Sequence, residues 1–185
     1  MFVYLITLVF LTLLSLIFLG LLSSSPPSHL LSWVLLPHTF PYIAVLTVNV
    51  TDPNQRVSIY KCDGATIDIH GKCKAVTLDG CEKTACLFDT VVSCVETVNC
   101  KRLQLQAREM CPVVSIEKTD GCLVYLSKET AETTNFVTSK SSEMNVNWPD
   151  ENDDMVEAVI PEQFQHRLDL KTKKVNSDIS DLYSH

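Results

Sequence analysis

Residues 57–75 read VSIYKCDGATIDIHGKCKA, residues 76–94 read VTLDGCEKTACLFDTVVSC and residues 95–113 read VETVNCKRLQLQAREMCPV. Each segment begins with valine, and a cysteine and then another apolar residue follow at steps of five residues. The cysteines recur at a constant interval, since 81 − 62 = 19 and 100 − 81 = 19. The chain therefore contains an internal repeat. Its columns are Val57, Val76 and Val95; Cys62, Cys81 and Cys100; and Ile67, Cys86 and Leu105.

The length and composition of the repeat favour stacked β-strands. A period of about 19 residues is too short for paired-helix repeats, which leaves leucine-rich repeats and β-solenoids. The segments have too few leucines for the former, and runs such as Thr66–Ile69 and Leu103–Gln106 alternate as strands do. Because one coil cannot cover its own apolar residues, the three valines are predicted to stack inside an all-β solenoid.

The spacing changes after the third segment. The next cysteine gives 122 − 100 = 22, and the added residues are expected in a longer turn around Arg108 to Pro112. The expected organisation is an apolar leader (1–22), a linker (23–41), a β-helix domain (42–164) and a C-terminal hairpin or polar tail (165–185).

The leader carries no charged side chain. As a helix it would cover roughly 30 Å, the thickness of the hydrocarbon core of a membrane. It therefore predicts a transmembrane or secretory segment, or an extension that the mature product lacks. Asn49-Val50-Thr51 is an N-glycosylation sequon, which has meaning only if the domain reaches the lumen.

The composition limits the partners. A net charge of −7, without any basic stretch interleaved with aromatic residues, argues against nucleic acid. The eight cysteines are expected to be small buried thiols. Stacked strands nevertheless bring ladder cysteines close enough for disulfides in an oxidising compartment.

Motifs for catalysis or metal binding are missing. The chain has no Gly-rich phosphate loop, no Gly-x-Ser-x-Gly elbow and no His-Glu-x-x-His pair. A zinc site can be assembled from Cys62, His70, Cys73 and Cys81, but no Cys-x-x-Cys knuckle supports it. We therefore expect a binding module with no catalytic residue, no cofactor and no metal.

Four motifs stand out after the repeat: Lys118-Thr119-Asp120-Gly121-Cys122, Val124-Tyr125-Leu126-Ser127-Lys128, Lys140-Ser141-Ser142-Glu143-Met144-Asn145-Val146 and Pro161-Glu162-Gln163-Phe164. In order and spacing they closely resemble one known family, the C-terminal (C-CAP/CARP) domain of cyclase-associated proteins. The likeness begins near Ile59 and runs to about Phe164.

The resemblance implies a right-handed parallel β-helix that forms a homodimer by exchanging a C-terminal hairpin. It also implies a cytoplasmic, cytoskeletal protein that binds monomeric actin, preferentially with ADP, and promotes nucleotide exchange without covalent chemistry. The actin contacts that match family motifs are Lys118, Thr119, Asp120, Lys128, Lys140, Ser142 and Glu143.

Two other functions are consistent with the sequence. The leader, the sequon and the cysteines fit a membrane-tethered or secreted β-solenoid that serves as an interaction module without actin exchange activity. The tubulin cofactor C branch of the same fold stimulates a GTPase through an exposed arginine, for which Arg102 or Arg108 would be required.

Overall fold

The computed structural model describes residues 32–35 and 45–181. In this part of the chain the regular structure is β apart from one short helix, α1 (Lys128–Thr133). The solenoid strands are β1 (Ser32–Leu35), β2 (Val45–Asn49), β3 (Arg56–Tyr60), β4 (Thr66–Asp79), β5 (Ala85–Val98), β6 (Lys101–Met110), β7 (Val113–Glu117), β8 (Asp120–Leu126), β9 (Asn135–Ser139) and β10 (Ser142–Pro149). Three more strands follow, β11 (Met155–Val159), β12 (Phe164–Asp169) and β13 (Lys174–Ile179).

Solenoid strands pair in parallel with the strand of the next coil. Cys86 of β5 lies opposite Ile67 of β4 and Leu105 of β6, which is the 19-residue offset of the sequence columns. β4 and β5 have 14 residues each, and each contributes to two faces. One face contains β2, β4, β5, β6, β8 and β10, and the other contains β1, β3, β4, β5, β7 and β9. The predicted all-β parallel solenoid is confirmed.

The apolar columns form the core. Val57 lies opposite Val76, which lies opposite Val95, and all three are 0% exposed. Phe88 is the largest of the fully buried side chains. Because burying one such side chain contributes roughly 1.5–3 kcal/mol, stacking supplies the stability that a single coil lacks.

A corner with two left-handed residues recurs beside the cysteine column. The first of these residues directly precedes the column, and the second follows it by two positions. Left-handed backbone is easy for glycine but costs other residues roughly 1 kcal/mol or more, so its recurrence shows that the ladder imposes it. The first positions are Lys61, Gly80, Asn99, Lys118 and Lys140, and the second are Gly64, Lys83, Arg102, Gly121 and Glu143.

The side chain between the two left-handed residues holds the corner by a hydrogen bond. The Cys100 thiol donates to the carbonyl of Val98 at 3.2 Å, and the Thr119 hydroxyl donates to that of Glu117 at 3.0 Å. The position therefore needs a short side chain that can donate, and cysteine, threonine and serine all meet this need. We call this set the corner column, and its members are Cys62, Cys81, Cys100, Thr119 and Ser141.

The expectation that the repeat lengthens to 22 residues between Cys100 and Cys122 is wrong. β6 pairs with β8 at an offset of 19, with Leu103 opposite Cys122, so Thr119 continues the corner column. The 22 − 19 = 3 added residues lie one coil later, where Cys122 lies opposite Met144. The coil is lengthened there by α1, and not by a longer turn at 108–112.

A carboxylate closes the last coil. In earlier coils the N–H of the second left-handed residue donates to a carbonyl of the next coil, as Lys83 does to Lys101 at 2.9 Å. Among the described residues no parallel strand follows β10, which pairs with antiparallel β11. The N–H of Glu143 instead donates to Glu162 Oε2 at 3.2 Å. Glu162 therefore caps the solenoid by supplying the missing acceptor.

The prediction of a transmembrane chain is wrong. Within residues 32–35 and 45–181 no helix is long and apolar enough to cross a membrane, and α1 has 6 residues. The leader, 1–22, on which that prediction rested, lies outside the described residues, as does the expected linker except for 32–35.

Gly71→Ala should destabilise the fold. Gly71 has φ +92°, and an added Cβ would lie 2.8 Å from the carbonyl oxygen of Val50. The backbone strain and the clash together should lower the free energy of unfolding by roughly 2–4 kcal/mol, measured by urea denaturation followed by circular dichroism.

The control for this variant is Gly64→Ala. An added Cβ at Gly64, where φ is +65°, meets no atom within 4 Å. The same corner position holds Lys83 and Arg102 in later coils, so only the backbone strain remains and the cost should be roughly 1 kcal/mol. Equal losses of stability in the two variants would contradict this account of Gly71.

Glu162→Ala should loosen the last coil locally. The substitution removes the acceptor of the Glu143 N–H, and both residues are exposed, so water replaces it and global stability should fall by no more than about 1 kcal/mol. Hydrogen exchange at that N–H should accelerate several-fold, as measured by NMR. Glu157→Ala is the control, because Glu157 accepts from the Asn145 side chain and from no backbone N–H of this corner. Unchanged exchange in Glu162→Ala would exclude the capping role.

Candidate functional site

Two of the family-like motifs form one surface at the end of the solenoid. The segments 118–121 and 140–143 occupy the same corner on successive coils, and we call them the terminal corner. The Ser142 hydroxyl donates to Asp120 Oδ1 at 2.7 Å, and the Ser142 N–H donates to the carbonyl of Thr119 at 3.1 Å. Two segments that are separated in sequence therefore form a single hydrogen-bonded unit.

Thr119 and Ser141 lie in the wall beneath this surface. Thr119 is 1% exposed, and its hydroxyl lies 3.3 Å from that of Thr97. Its N–H donates to Ser141 Oγ at 3.1 Å. Thr119 therefore supports the corner rather than presenting its side chain to solvent. Sequence reasoning singled out Thr119 and missed Ser141, whose signal was its position in the corner column.

Four charged side chains of the terminal corner are exposed: Lys118, Asp120, Lys140 and Glu143. Lys118, Lys140 and Glu143 occupy left-handed positions, so the ladder fixes where their side chains leave the backbone. Lys118 Nζ also lies 3.4 Å from Glu117 Oε1. This arrangement of two cations and two anions suits a partner with complementary charges more than a polyanion.

Lys128, the remaining predicted contact, lies apart from the terminal corner. It begins α1, and the 7 residues of β8 separate it from the corner by roughly 20 Å. The helix starts there because Ser127 is its N-cap. Lys128 Nζ lies 3.5 Å from the carbonyl oxygen of Asp150, beside an open groove of about 600 Å³ whose lining includes Phe136 and Trp148.

Arg108 is held by two carboxylates from neighbouring coils. Its guanidinium lies 2.8 Å from Asp68 Oδ1 and 3.0 Å from Asp89 Oδ1. Burial alone would raise the pKa of Asp89, but hydrogen bonds from the Gly71 N–H and from Arg108 outweigh burial and lower that pKa. Arg108 is therefore engaged in the wall and is not the exposed arginine that GTPase stimulation would require.

Arg102, the other arginine considered, is exposed at the corner of its own coil. It lines two shallow grooves of about 520 and 440 Å³ on the outside of the solenoid. Gly121 and Glu143 line the first groove with it. Arg102 therefore adds a positive charge beside the terminal corner.

The cysteines belong to the wall of the solenoid. Seven of the eight are buried and Cys94 is partly exposed, and burial raises the pKa of Cys122 to about 12. In the part of the chain that the structure describes, no group of three or more side chains is arranged to hold a metal ion. His70 was one of the residues considered for zinc. Its Nε2 lies 3.3 Å from Asp68 Oδ2, and its Nδ1 lies 3.6 Å from Asp89 Oδ2.

Asn49 of the glycosylation sequon is exposed at the last position of β2. It lies opposite His70 of β4. Its side chain is therefore sterically open to modification, and the modification stays a prediction.

The C-terminal hairpin has an uncovered apolar face. Within the described residues β12 and β13 pair only with each other. Their register places Phe164 opposite Ile179 and Leu168 opposite Val175. All four of these side chains are at least 50% exposed. Apolar side chains on one face of a two-stranded ribbon are typical of a surface that a partner covers.

Known proteins share both the sequence and the fold. The chain matches the family described as "Adenylate cyclase associated (CAP) C terminal" over residues 33–182. It is 44% identical to the adenylyl cyclase-associated protein of Dictyostelium discoideum over 129 residues, and this aligned stretch covers 69% of this chain and 27% of that protein. It is 42% identical to adenylyl cyclase-associated protein 1 of Homo sapiens over 123 residues, and this aligned stretch covers 66% of this chain and 26% of that protein.

A solved structure agrees with the fold. The crystal structure of cyclase-associated protein from Cryptosporidium parvum superimposes with a TM-score of 0.76 at 27% identity, covering 84% of this chain and 93% of that one. The chain spans about a quarter of the length of the curated relatives named above. With the family match extending over residues 33–182, the chain belongs to the adenylate cyclase associated (CAP) C-terminal family.

Proposed function

We propose that this chain binds monomeric actin, preferentially in the ADP-bound form, and promotes exchange of its nucleotide, thereby regulating filament turnover. Family membership supports this activity, and the terminal corner offers a surface for it. The proposed protein is a binding module that uses no catalytic residue and no cofactor, and it acts in the cytoplasm, where actin monomers are found. We take residues 42–164 as the β-helix domain and residues 165–185 as the C-terminal hairpin or tail, with Phe164 at the boundary as the first residue of β12.

The hydrogen bond between Ser142 and Asp120 supports the proposal most directly. It joins the two family motifs, so the exposed charges around them keep fixed relative positions. A partner that binds such a preformed surface does not have to order a flexible loop, which would cost affinity.

We assign the direct contacts to exposed side chains. Lys118, Asp120, Lys140 and Glu143 are proposed to meet actin, and Thr119 and Ser142 to hold these groups in place. Lys128 is proposed as a separate contact beyond β8. An interface of standard size, about 800 Å² on each partner, is wide enough to span the roughly 20 Å between them.

The proposed exchange activity needs no bond to be made or broken in actin. A partner accelerates release of ADP if it binds more tightly to the actin conformation from which ADP leaves than to the conformation that retains it. A difference of about 2 kcal/mol between the two affinities would shift that equilibrium roughly thirtyfold. A rigid solenoid can bind the two actin conformations with different affinities because its surface cannot adapt equally well to both.

We further propose that two copies associate through the C-terminal hairpin, as the family resemblance implies. The exposed face that carries Phe164, Leu168, Val175 and Ile179 supports this proposal. Covering it with the equivalent hairpin of a second copy would remove apolar surface from water at about 25 cal/mol per Å².

The double variant Lys118→Ala/Lys140→Ala should weaken actin binding. Both side chains are exposed, so their removal should not disturb the core. Losing two contacts of roughly 1 kcal/mol each raises the Kd about thirtyfold. The Kd is measured by titrating fluorescently labelled ADP-actin monomers with the purified chain, and the rate of nucleotide release is followed in parallel.

The matched control is Lys61→Ala. Lys61 occupies the same corner position three coils earlier, with φ 51° against 47° at Lys118. It is not one of the proposed contacts, and it lies roughly 14 Å from the terminal corner along the stack of coils, whereas the proposed interface extends along β8 toward Lys128, so its removal should leave the Kd unchanged. The proposal fails if the unmodified chain does not bind at micromolar concentration, or if the control loses as much affinity as the double variant.

Leu168→Asp should convert the proposed dimer to monomers, because it places a charge in the apolar face of the hairpin. Arg167→Gln is the control, since it changes the net charge by the same amount on the opposite face, across from Asn176. Sedimentation velocity at micromolar concentration reports the state of each chain. An unmodified chain that sediments as a monomer would refute the dimer and leave the actin proposal untouched.

A further inference from the structure

A polar pair stands at the centre of the apolar face of the C-terminal hairpin. Because side chains alternate along a strand, His166 shares the face of β12 that carries Phe164 and Leu168. Its cross-strand neighbour Ser177 lies on the same face of β13, and His166 Nδ1 lies 2.8 Å from Ser177 Oγ. Both residues are exposed. The face therefore has one polar pair between two apolar pairs, Phe164–Ile179 and Leu168–Val175.

Within the two hairpin strands no charged side chain shares this face. On β13 the residues nearest to His166 are Ser177 opposite it and, on the diagonals, Val175 and Ile179. The charged side chains of β12 and β13 alternate onto the opposite face, and they are Arg167, Asp169, Lys174 and Asp178. A positive charge on His166 therefore finds no carboxylate on the face that it occupies.

The order of the pairs favours one alignment of two hairpins. When two copies cover this face with each other about a two-fold axis, alignment of the two centres brings polar pair against polar pair and apolar pairs against apolar pairs. Nε2 of His166, which has no hydrogen-bond partner among the described residues, then meets the polar pair of the second copy. A shift by one pair would bury His166 and Ser177 against apolar side chains, which is costly for groups left without partners. The favoured alignment thus places His166 in the middle of the interface.

We propose, on the basis of the dimer proposed above, that His166 makes the association of two copies through the hairpin dependent on pH. Histidine is the side chain that gains a positive charge between about pH 8 and pH 5. The covered face excludes water and offers no carboxylate, so it accepts the neutral imidazole and disfavours the imidazolium.

The direction of the effect follows from the number of protons that each state binds. On acidification each separated chain takes up a proton on His166, whereas the dimer does so only by paying the cost of a buried charge. The separated chains therefore bind more protons than the dimer, and association weakens as the pH falls. Because each dimer covers two copies of His166, the Kd rises by up to about a hundredfold per pH unit once both are charged in the separated chains.

The test is sedimentation velocity of the full chain over a series of concentrations at about pH 8 and about pH 6. We expect dimers at the higher pH and a Kd that is roughly tenfold or more higher at the lower pH. A chain that dimerises with the same Kd at both values would overturn the pH dependence and leave the dimer standing. A chain that is monomeric at both values would refute the dimer and the role of His166 together.

Three substitutions assign the pH dependence to one side chain. His166→Asn keeps a neutral polar group beside Ser177 and should dimerise with nearly the same Kd at both pH values. His166→Lys carries a lasting positive charge and should associate more weakly than the unmodified chain at about pH 8.

His70→Gln is the matched control. His70 is the other histidine among the described residues, and it lies on the solenoid wall between Asp68 and Asp89. This variant should retain the full change in Kd between the two pH values. An unchanged pH dependence in His166→Asn, or its loss in His70→Gln, would show that His166 is not the group responsible.

Discussion

The corner of the coil is the constraint on which the rest of this structure depends. Two left-handed residues with a short donor side chain between them turn the backbone at the same phase in the five successive corners from Lys61 to Glu143. Strands that leave successive corners are consequently in register, and that register places the valine column inside and the charged residues outside. The hydrophobic core is thus a consequence of the turn geometry as much as its cause, since neither forms in a single coil.

The interior could be predicted from the sequence because its columns repeat in residue type, as Val57, Val76 and Val95 do. The corner could not, because Lys61, Gly80 and Asn99 share only a backbone conformation that stacking imposes. The corner column changes from cysteine to Thr119 and Ser141 while the hydrogen bond stays the same. Matching the column by residue type alone therefore continues it to Cys122 and places the insertion one coil too early.

At the candidate site, too, the sequence motifs predict one property and the strand register determines another. The motifs around Lys118 and Lys140 indicate which segments meet, but the backbone phase decides that Thr119 is buried while Asp120 beside it is exposed. The separation of Lys128 from the other residues follows from α1, whose 6 residues are too few to show helical periodicity. The local signals for that helix were Ser127 as its N-cap and Glu129 in its first turn.

The last coil of a solenoid exposes unpaired backbone groups on which a further coil could form. In this chain Glu162 accepts a hydrogen bond from one of these groups, the N–H of Glu143, and it follows Glu143 by 19 residues, the spacing of one more coil. The chain thus supplies the acceptor of a further repeat without building the repeat. Because each coil contacts only its neighbours, evolution could add or delete whole coils upstream while the terminal corner and its cap stayed intact. The length of the support and the character of the binding surface are therefore inherited as separate properties.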